Sequence, residues 1–179
     1  MKILELSENR YYLKSSIDFF KKNFEKRFSF IKKKNFLFTE VSNFLNGCIN
    51  NSKDVYMFCA GNSVLSKNIL SNKIYLKEID EKYKKKYNTN IFYKDEVSNE
   101  EIESCNTIII ADIEHQANPT SNLLKLSQIA NDNAKIIVLS KNRVWMIVIK
   151  ILKFFFDFSP LKNNFLPSSY LNNLFTICN

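Results

Sequence analysis

The residues best suited to chemistry in this sequence are carboxylates that follow short apolar runs. They are Glu78, Asp80, Asp95 and Asp112. If the apolar runs are parallel strands of an α/β sheet, their carboxyl ends meet at one edge, where the ligands of such folds bind. A carboxylate after the second strand can accept hydrogen bonds from both hydroxyls of a ribose, and an Asp after the third strand can accept one from an adenine amino group. The pattern therefore favours a nucleotide-like ligand.

The first apolar run leads into a turn at Gly61, one of only two glycines in the chain. The run predicts a buried strand, and residues 64–70 predict a helix after the turn. Because Gly61 has no side chain, its backbone can approach a ligand closely. We therefore predict a binding site made of this turn and the end of the fourth strand. Besides the carboxylates, its residues are Cys59, Ala60, Gly61, Ser63 and Ala111.

His115, the only histidine, lies shortly after the fourth strand and is the candidate catalytic residue. As a general base it must lie within hydrogen-bond reach of the proton that it removes. Two alternatives stay open: His115 lines the pocket, or it caps the helix that follows. The four cysteines form no C-x-x-C pair, so we predict no metal site and interpret the thiols as buried apolar groups in a reducing compartment.

Five apolar runs alternate with helical segments from residue 55 onward, which predicts an α/β fold with a parallel sheet. The predicted strands cover residues 55–59, 74–76, 90–93, 107–111 and 135–139. Besides the helix predicted over residues 64–70, the predicted helices of this region cover residues 81–87, 100–104 and 119–131. The fourth run is β-branched and apolar throughout, as in a strand that is buried on both faces.

Residues 1–50 predict two helices, because apolar side chains recur at helical spacing from Ile17 to Ile31 and again from Phe36 to Cys48. Gly47 is expected to cap the second helix. The lysines at 32–34 predict an exposed turn, with a phosphate or membrane contact as the alternative. We divide a single domain, residues 1–179, into a helical N-terminal cap (1–50), a cofactor-binding core (54–140) and a C-terminal helical segment (141–179).

Composition narrows the class of protein. The chain has 179 residues, enough for one domain, and 45% hydrophobic residues, which fit a globular fold. The net charge of +8 comes mostly from lysines spread along the chain, so nucleic acid is not expected as a partner. No signal peptide opens the sequence, and residues 144–158 are too short to span a membrane. We expect a cytoplasmic protein; a membrane-surface contact of residues 145–158 is an alternative.

The order of these features resembles class I S-adenosylmethionine-dependent methyltransferases. The resemblance covers most of the chain, and the segments that carry it are residues 55–61, 78–80, 95, 112–115 and 136–140. Residues 140–145 and 164–174 are similar to a subgroup often found with glycan-assembly enzymes. The resemblance implies a three-layer αβα sandwich with a Rossmann-like, mostly parallel sheet. It also implies S-adenosylmethionine as cofactor and a small-molecule or glycan-like methyl acceptor.

The resemblance assigns roles by position. The turn around Gly61 would hold the methionine part of the cofactor, Glu78 the ribose, with Asp80 as the alternative, and Asp95 the adenine. Asp112 and His115 would line the pocket near the transferred methyl group. The first turn is degenerate, because Met57 stands at the family's acidic position and Cys59 and Ser63 replace glycines. We also expect the family's terminal antiparallel hairpin to be missing after Asn179. The alternative function is a non-catalytic methyltransferase-like binding protein.

Overall fold

The structure is a computed structural model that describes residues 11–49, 53–84, 88–96 and 98–140. The predictions for the C-terminal helical segment (141–179) and the missing hairpin lie outside the described residues. So do the first ten residues of the predicted N-terminal cap. No helix in the described ranges is long and apolar enough to cross a membrane.

The core is a five-stranded, all-parallel sheet with helices, which confirms the α/β fold with a Rossmann-like sheet. The strand order is β3-β2-β1-β4-β5. The strands are β1 (Val55–Cys59), β2 (Ile74–Glu78), β3 (Ile91–Tyr93), β4 (Thr107–Ala111) and β5 (Lys135–Val138). The strand β2 runs two residues beyond its predicted end, and β3 and β5 are each one residue shorter than predicted. All five residues of β1 and of β4 are buried, which explains their unbroken apolar sequences.

Side chains alternate between the two faces of the sheet, and each face has its own apolar core. On one face, Tyr56 and Phe58 of β1 pack with Phe20 and with Leu123. On the other face, Val55 and Met57 pack with Leu45 and Leu65, among others. Helical segments therefore cover both sides of the sheet. Helix α4 (Asn99–Ser104) lies between β3 and β4, and helix α5 (Pro119–Ile129) lies between β4 and β5.

Residues 14–48 form three helices, and the prediction of two was wrong. They are α1 (Lys14–Lys22), α2 (Phe24–Lys33) and α3 (Asn35–Cys48). The predicted first helix is interrupted at Asn23, which has non-helical backbone angles and whose side-chain amide donates to the carbonyl of Phe19 at 3.0 Å. Such local side-chain bonds compete with helix continuation. Gly47 lies inside α3 rather than after it, so it does not cap the helix.

Three other predicted helices are shorter or tighter than the sequence indicates. A 3-10 helix, Ser63–Asn68, replaces the predicted helix over residues 64–70. A 3-10 turn, Glu81–Tyr83, replaces the start of the predicted helix over residues 81–87, of which residues 85–87 are outside the described part. Helix α5 ends at Ile129 because Ala130 is extended. The described parts of the connections from β1 to β2 and from β2 to β3 thus contain 3-10 turns rather than α-helices.

Candidate functional site

The carboxyl ends of the three central strands lie side by side. Cys59 of β1 is paired with Glu78 of β2 and with Ala111 of β4. The turn after β1 therefore faces a carboxylate on one side and the end of β4 on the other. The sequence places Gly61 at the tip of this turn, where φ is +68°, a conformation that favours glycine. We call Ala60–Ser63 together with Glu78 the Gly61 corner.

The carboxylate of Glu78 is bound by the Gly61 corner itself. Its Oε1 accepts hydrogen bonds from the backbone N–H of Gly61 at 2.5 Å and of Ile79 at 2.8 Å. Its Oε2 accepts from the N–H of Ser63 at 3.2 Å. Burial raises the pKa of Glu78 to about 7, although the hydrogen bonds from Gly61 and Ile79 lower it. The turn thus supplies its amide donors to a side chain of the neighbouring strand.

Two side chains from the N-terminal helices cover the other side of the turn. The guanidinium of Arg27 donates to the carbonyls of Ala60 and Gly61, both at 3.3 Å, and to Asn62 Oδ1 at 2.6 Å. The Arg27 guanidinium also stacks over the ring of Phe20 at 4.8 Å. A Cβ added to Gly61 would lie 2.6 Å from Arg27 Nε and 2.7 Å from Phe20 Cε1. Side-chain atoms of Arg27 and Phe20 therefore occupy the space next to the Gly61 backbone.

Further hydrogen bonds connect the segments that surround the Gly61 corner. The Tyr12 hydroxyl donates to the carbonyl of Cys59 at 2.9 Å, and the Tyr83 hydroxyl donates to that of Phe20 at 3.2 Å. Ser63 Oγ donates to the carbonyl of Tyr83 at 2.7 Å. A cavity beside the turn measures about 10 Å³, the space of about one water molecule. It is lined by Phe28, Ile31, Gly61, Ser63, Val64, Lys82 and Tyr83.

A second buried polar cluster lies at the end of β4. Gln116 Nε2 donates to Asp112 Oδ1 and to the Tyr11 hydroxyl, both at 2.8 Å, and Asn122 Nδ2 donates to Gln116 Oε1 at 3.0 Å. Burial raises the pKa of Asp112 to about 6, against the lowering effect of the bond from Gln116. The other oxygen of Asp112, Oδ2, has no hydrogen-bond partner among the described residues. Asp112 is therefore a buried part of the fold's interior.

His115 is buried in the 3-10 turn Ile113–His115. Its Nδ1 lies 3.3 Å from Ser16 Oγ, and its ring meets the ring of Phe20 edge-on at 5.1 Å. The backbone of Leu13 donates to the carbonyl of His115 at 2.9 Å. The structure therefore places the candidate catalytic residue beneath helix α1, where protein groups surround its imidazole.

Asp80 and Asp95 bond to groups outside the Gly61 corner. Asp80 Oδ1 accepts from the backbone N–H of Lys82 at 2.9 Å and so caps the 3-10 turn that follows β2. Asp95 is exposed and forms an ion pair with Lys84, which lowers the pKa of the Asp95 carboxyl. Neither side chain forms a hydrogen bond with the Gly61 corner in the part of the chain that is described. The structure thus brings together Cys59, Ala60, Gly61, Ser63, Glu78 and, one strand over, Ala111 and Asp112.

Sequence reasoning missed the side chains that cover the corner, above all Arg27 and Phe20. One signal was available for Arg27, because only three of the 26 basic residues are arginines. A guanidinium presents a fixed fork of donors, which suits neighbouring acceptors better than an ammonium group does. Phe20 carried no such signal, since it is one of 16 phenylalanines.

The Gly61 corner does not fit S-adenosylmethionine in this arrangement. The amide donors of the turn are bonded to Glu78, and the carboxylate expected to bind the ribose is bonded to the turn. Phe20 and Arg27 lie where a ligand would approach the Gly61 backbone. No family model, no curated protein and no solved structure matches this chain. The methyltransferase resemblance therefore stays a prediction from the sequence.

Proposed function

We propose that this chain is a non-catalytic, Rossmann-like binding protein whose cofactor corner is closed by its own side chains. The observation that carries the proposal is the pair of bonds from the N–H groups of Gly61 and Ser63 to Glu78. In α/β folds, backbone N–H groups at this position are the donors that bind an anionic or nucleotide-like ligand. Here the protein itself supplies the acceptor, the side-chain carboxyl of Glu78.

A ligand can bind at the Gly61 corner only if its binding free energy exceeds the free energy needed to open the corner. A ligand at the turn must displace Glu78 from the backbone N–H groups of Gly61 and Ser63 and move Arg27 from its three acceptors. Hydrogen bonds to charged groups contribute about 1.5–3 kcal/mol each. New bonds to the ligand and to water offset part of this loss. A net opening cost of about 4 kcal/mol lowers the apparent affinity for a ligand about 1,000-fold.

The second candidate function is methyl transfer from S-adenosylmethionine to a small-molecule or glycan-like acceptor. One observation favours it: Glu78 ends β2 directly beside the end of β1, the position that the resemblance implies for the ribose carboxylate. This function requires helices α1 and α2 to move away from Gly61, because Phe20 and Arg27 belong to them. Glu78 must also rotate away from the turn.

Equilibrium binding separates the two functions. S-adenosylmethionine and S-adenosylhomocysteine are titrated against the full chain by calorimetry, up to about 1 mM, which corresponds to a binding free energy of about −4 kcal/mol. We expect no saturable binding. Glu78→Gln is the matched variant, since its amide oxygen can still accept from Gly61. Saturable binding to the unmodified protein that Glu78→Gln weakens would overturn the proposal and favour the methyltransferase.

A further inference from the structure

Most of the large apolar side chains that the described residues leave exposed belong to two consecutive helices. Five of the seven belong to α2 and α3; the other two are Leu70 and Phe92. The five, with their exposed fractions, are Phe30 (51%), Phe36 (59%), Leu37 (47%), Val41 (37%) and Phe44 (68%). We call them the α2–α3 face. A cluster of exposed apolar groups of this kind marks an interaction site.

Helices α2 and α3 are connected by a tight turn. The N–H of Lys34 donates to the carbonyl of Phe30, and the N–H of Leu37 donates to that of Lys34, both at 2.9 Å. Along α3, Leu37, Val41 and Phe44 recur at spacings of four and three residues and so share one side of the helix. The buried residues of α3, Ser42 and Leu45, lie on the side that packs on the protein.

Positive charge flanks the α2–α3 face. Lys32, Lys33 and Lys34 are consecutive and exposed, and none of them forms an ion pair with a described residue. Residues 24–48 contain five basic and two acidic side chains, in a chain of net charge +8. Apolar side chains beside exposed lysines are the chemistry by which helices bind an interface of anionic lipids.

We propose that the α2–α3 face docks on an anionic membrane surface. Phe36, Leu37 and Phe44 enter the boundary between headgroups and acyl chains, and Lys32–Lys34 lie against the anionic headgroups. We favour a lipid surface over a protein partner, because an anionic membrane presents a dense array of negative charge that three adjacent exposed lysines can face together. The inference goes beyond the proposed function and does not depend on it, since vesicle binding and cofactor binding are separate measurements.

Sedimentation of the full chain with lipid vesicles tests the proposal. Phosphatidylcholine vesicles that contain phosphatidylserine should bind the protein, and vesicles of phosphatidylcholine alone should bind it much more weakly. Replacing Lys32, Lys33 and Lys34 together with glutamine should weaken partitioning by about 100-fold, since each lysine near such a surface contributes about 1 kcal/mol. Phe36→Gln with Phe44→Gln should abolish binding. Phe44→Gln alone, at the most exposed position, is the milder variant and should weaken it.

The chain offers matched controls for both changes. Lys53, Lys67 and Lys73 are exposed lysines outside the face, and their triple glutamine variant has the same net charge as the test variant. Leu70→Gln with Phe92→Gln removes the two exposed apolar side chains elsewhere. Both controls should bind like the unmodified protein. Equal losses in tests and controls, or equal binding to neutral vesicles, would overturn the proposal. So would a concentration-dependent dimer that Phe36→Gln with Phe44→Gln dissolves while vesicles bind no protein.

Discussion

Replacing Gly61 with alanine tests whether the corner is closed by Phe20 and Arg27. An alanine there must adopt φ near +68°, and its Cβ would lie 2.6 Å from Arg27 Nε and 2.7 Å from Phe20 Cε1. The other glycine, Gly47, is the matched control, because it lies within α3 and a Cβ there meets nothing within 4 Å. The two substitutions are chemically identical and should have opposite effects.

The expected loss of stability for Gly61→Ala is the sum of three contributions. A non-glycine residue in the left-handed region costs about 1–2 kcal/mol. Forcing the buried ring of Phe20 out of position costs about 1–3 kcal/mol, as overpacking does in other cores. Displacing the Arg27 guanidinium from the carbonyls of Ala60 and Gly61 costs about 1–2 kcal/mol more. We therefore expect Gly61→Ala to lower the free energy of unfolding by about 3–7 kcal/mol, and Gly47→Ala to raise it by about 0.5–1 kcal/mol.

Urea unfolding followed by circular dichroism measures both changes. A loss for Gly61→Ala of less than about 1.5 kcal/mol would show the backbone contribution alone. That result would refute the packing of Phe20 and Arg27 on the turn, and with it the closed corner. The variant Arg27→Ala completes a double-mutant cycle with Gly61→Ala. The two changes should be non-additive by more than about 0.5 kcal/mol, because the alanine Cβ and the guanidinium compete for one space.

Three further substitutions probe the same corner through urea unfolding. Because the folded-state pKa of Glu78 is about 7, above its ordinary 4.5, the folded protein holds this proton more tightly, so stability is lost as pH rises through 7. Glu78→Gln should reduce that loss between about pH 4.5 and 7; an unchanged pH profile would contradict the assignment. Arg27→Ala should cost about 2 kcal/mol and exposed Lys26→Ala less than about 0.5 kcal/mol, and equal costs would count against the Arg27 bonds. Tyr12→Phe should cost about 1 kcal/mol by removing the buried bond to Cys59, whereas unchanged stability would exclude that bond.

The sheet could be predicted from the sequence because each strand is a local pattern. Residues 107–111 form an unbroken β-branched and apolar run between polar neighbours, and β4 has the predicted bounds. Strand β2 continues past the predicted residues 74–76 to Glu78, because its parallel pairing with β1 continues to Cys59. Neither Lys77 nor Glu78 has a property that by itself indicates a strand. The helices were predicted less well, since Asn23 divides one apolar pattern into two by a side-chain bond to Phe19.

The proximity of Gly61 and Glu78 could be predicted from the sequence, and their contacts could not. Gly61 and Glu78 were expected at one corner, and the register of β1 and β2 brings them there. Their mutual bond could not be derived, because it depends on the direction of one carboxylate among several acceptors near a turn. The cover by Phe20 and Arg27 joins positions more than 30 residues apart in sequence. Such contacts depend on how α1 and α2 pack on the finished sheet.

The closed corner also fixes the surface that we propose to bind membranes. Arg27 ties α2 to the carbonyls of the Gly61 turn. Ser42 and Asn46 tie α3 to the 3-10 helix after that turn, by bonds to the carbonyls of Leu65 at 2.8 Å and Asn68 at 2.7 Å. Both helices of the α2–α3 face are therefore anchored on one short segment, Ala60–Asn68. A ligand that entered the corner would displace α2 from this segment while α3 stayed bonded to it. The Arg27 bonds that would oppose a ligand thus also hold α2, which carries Phe30, to the segment on which α3 is anchored.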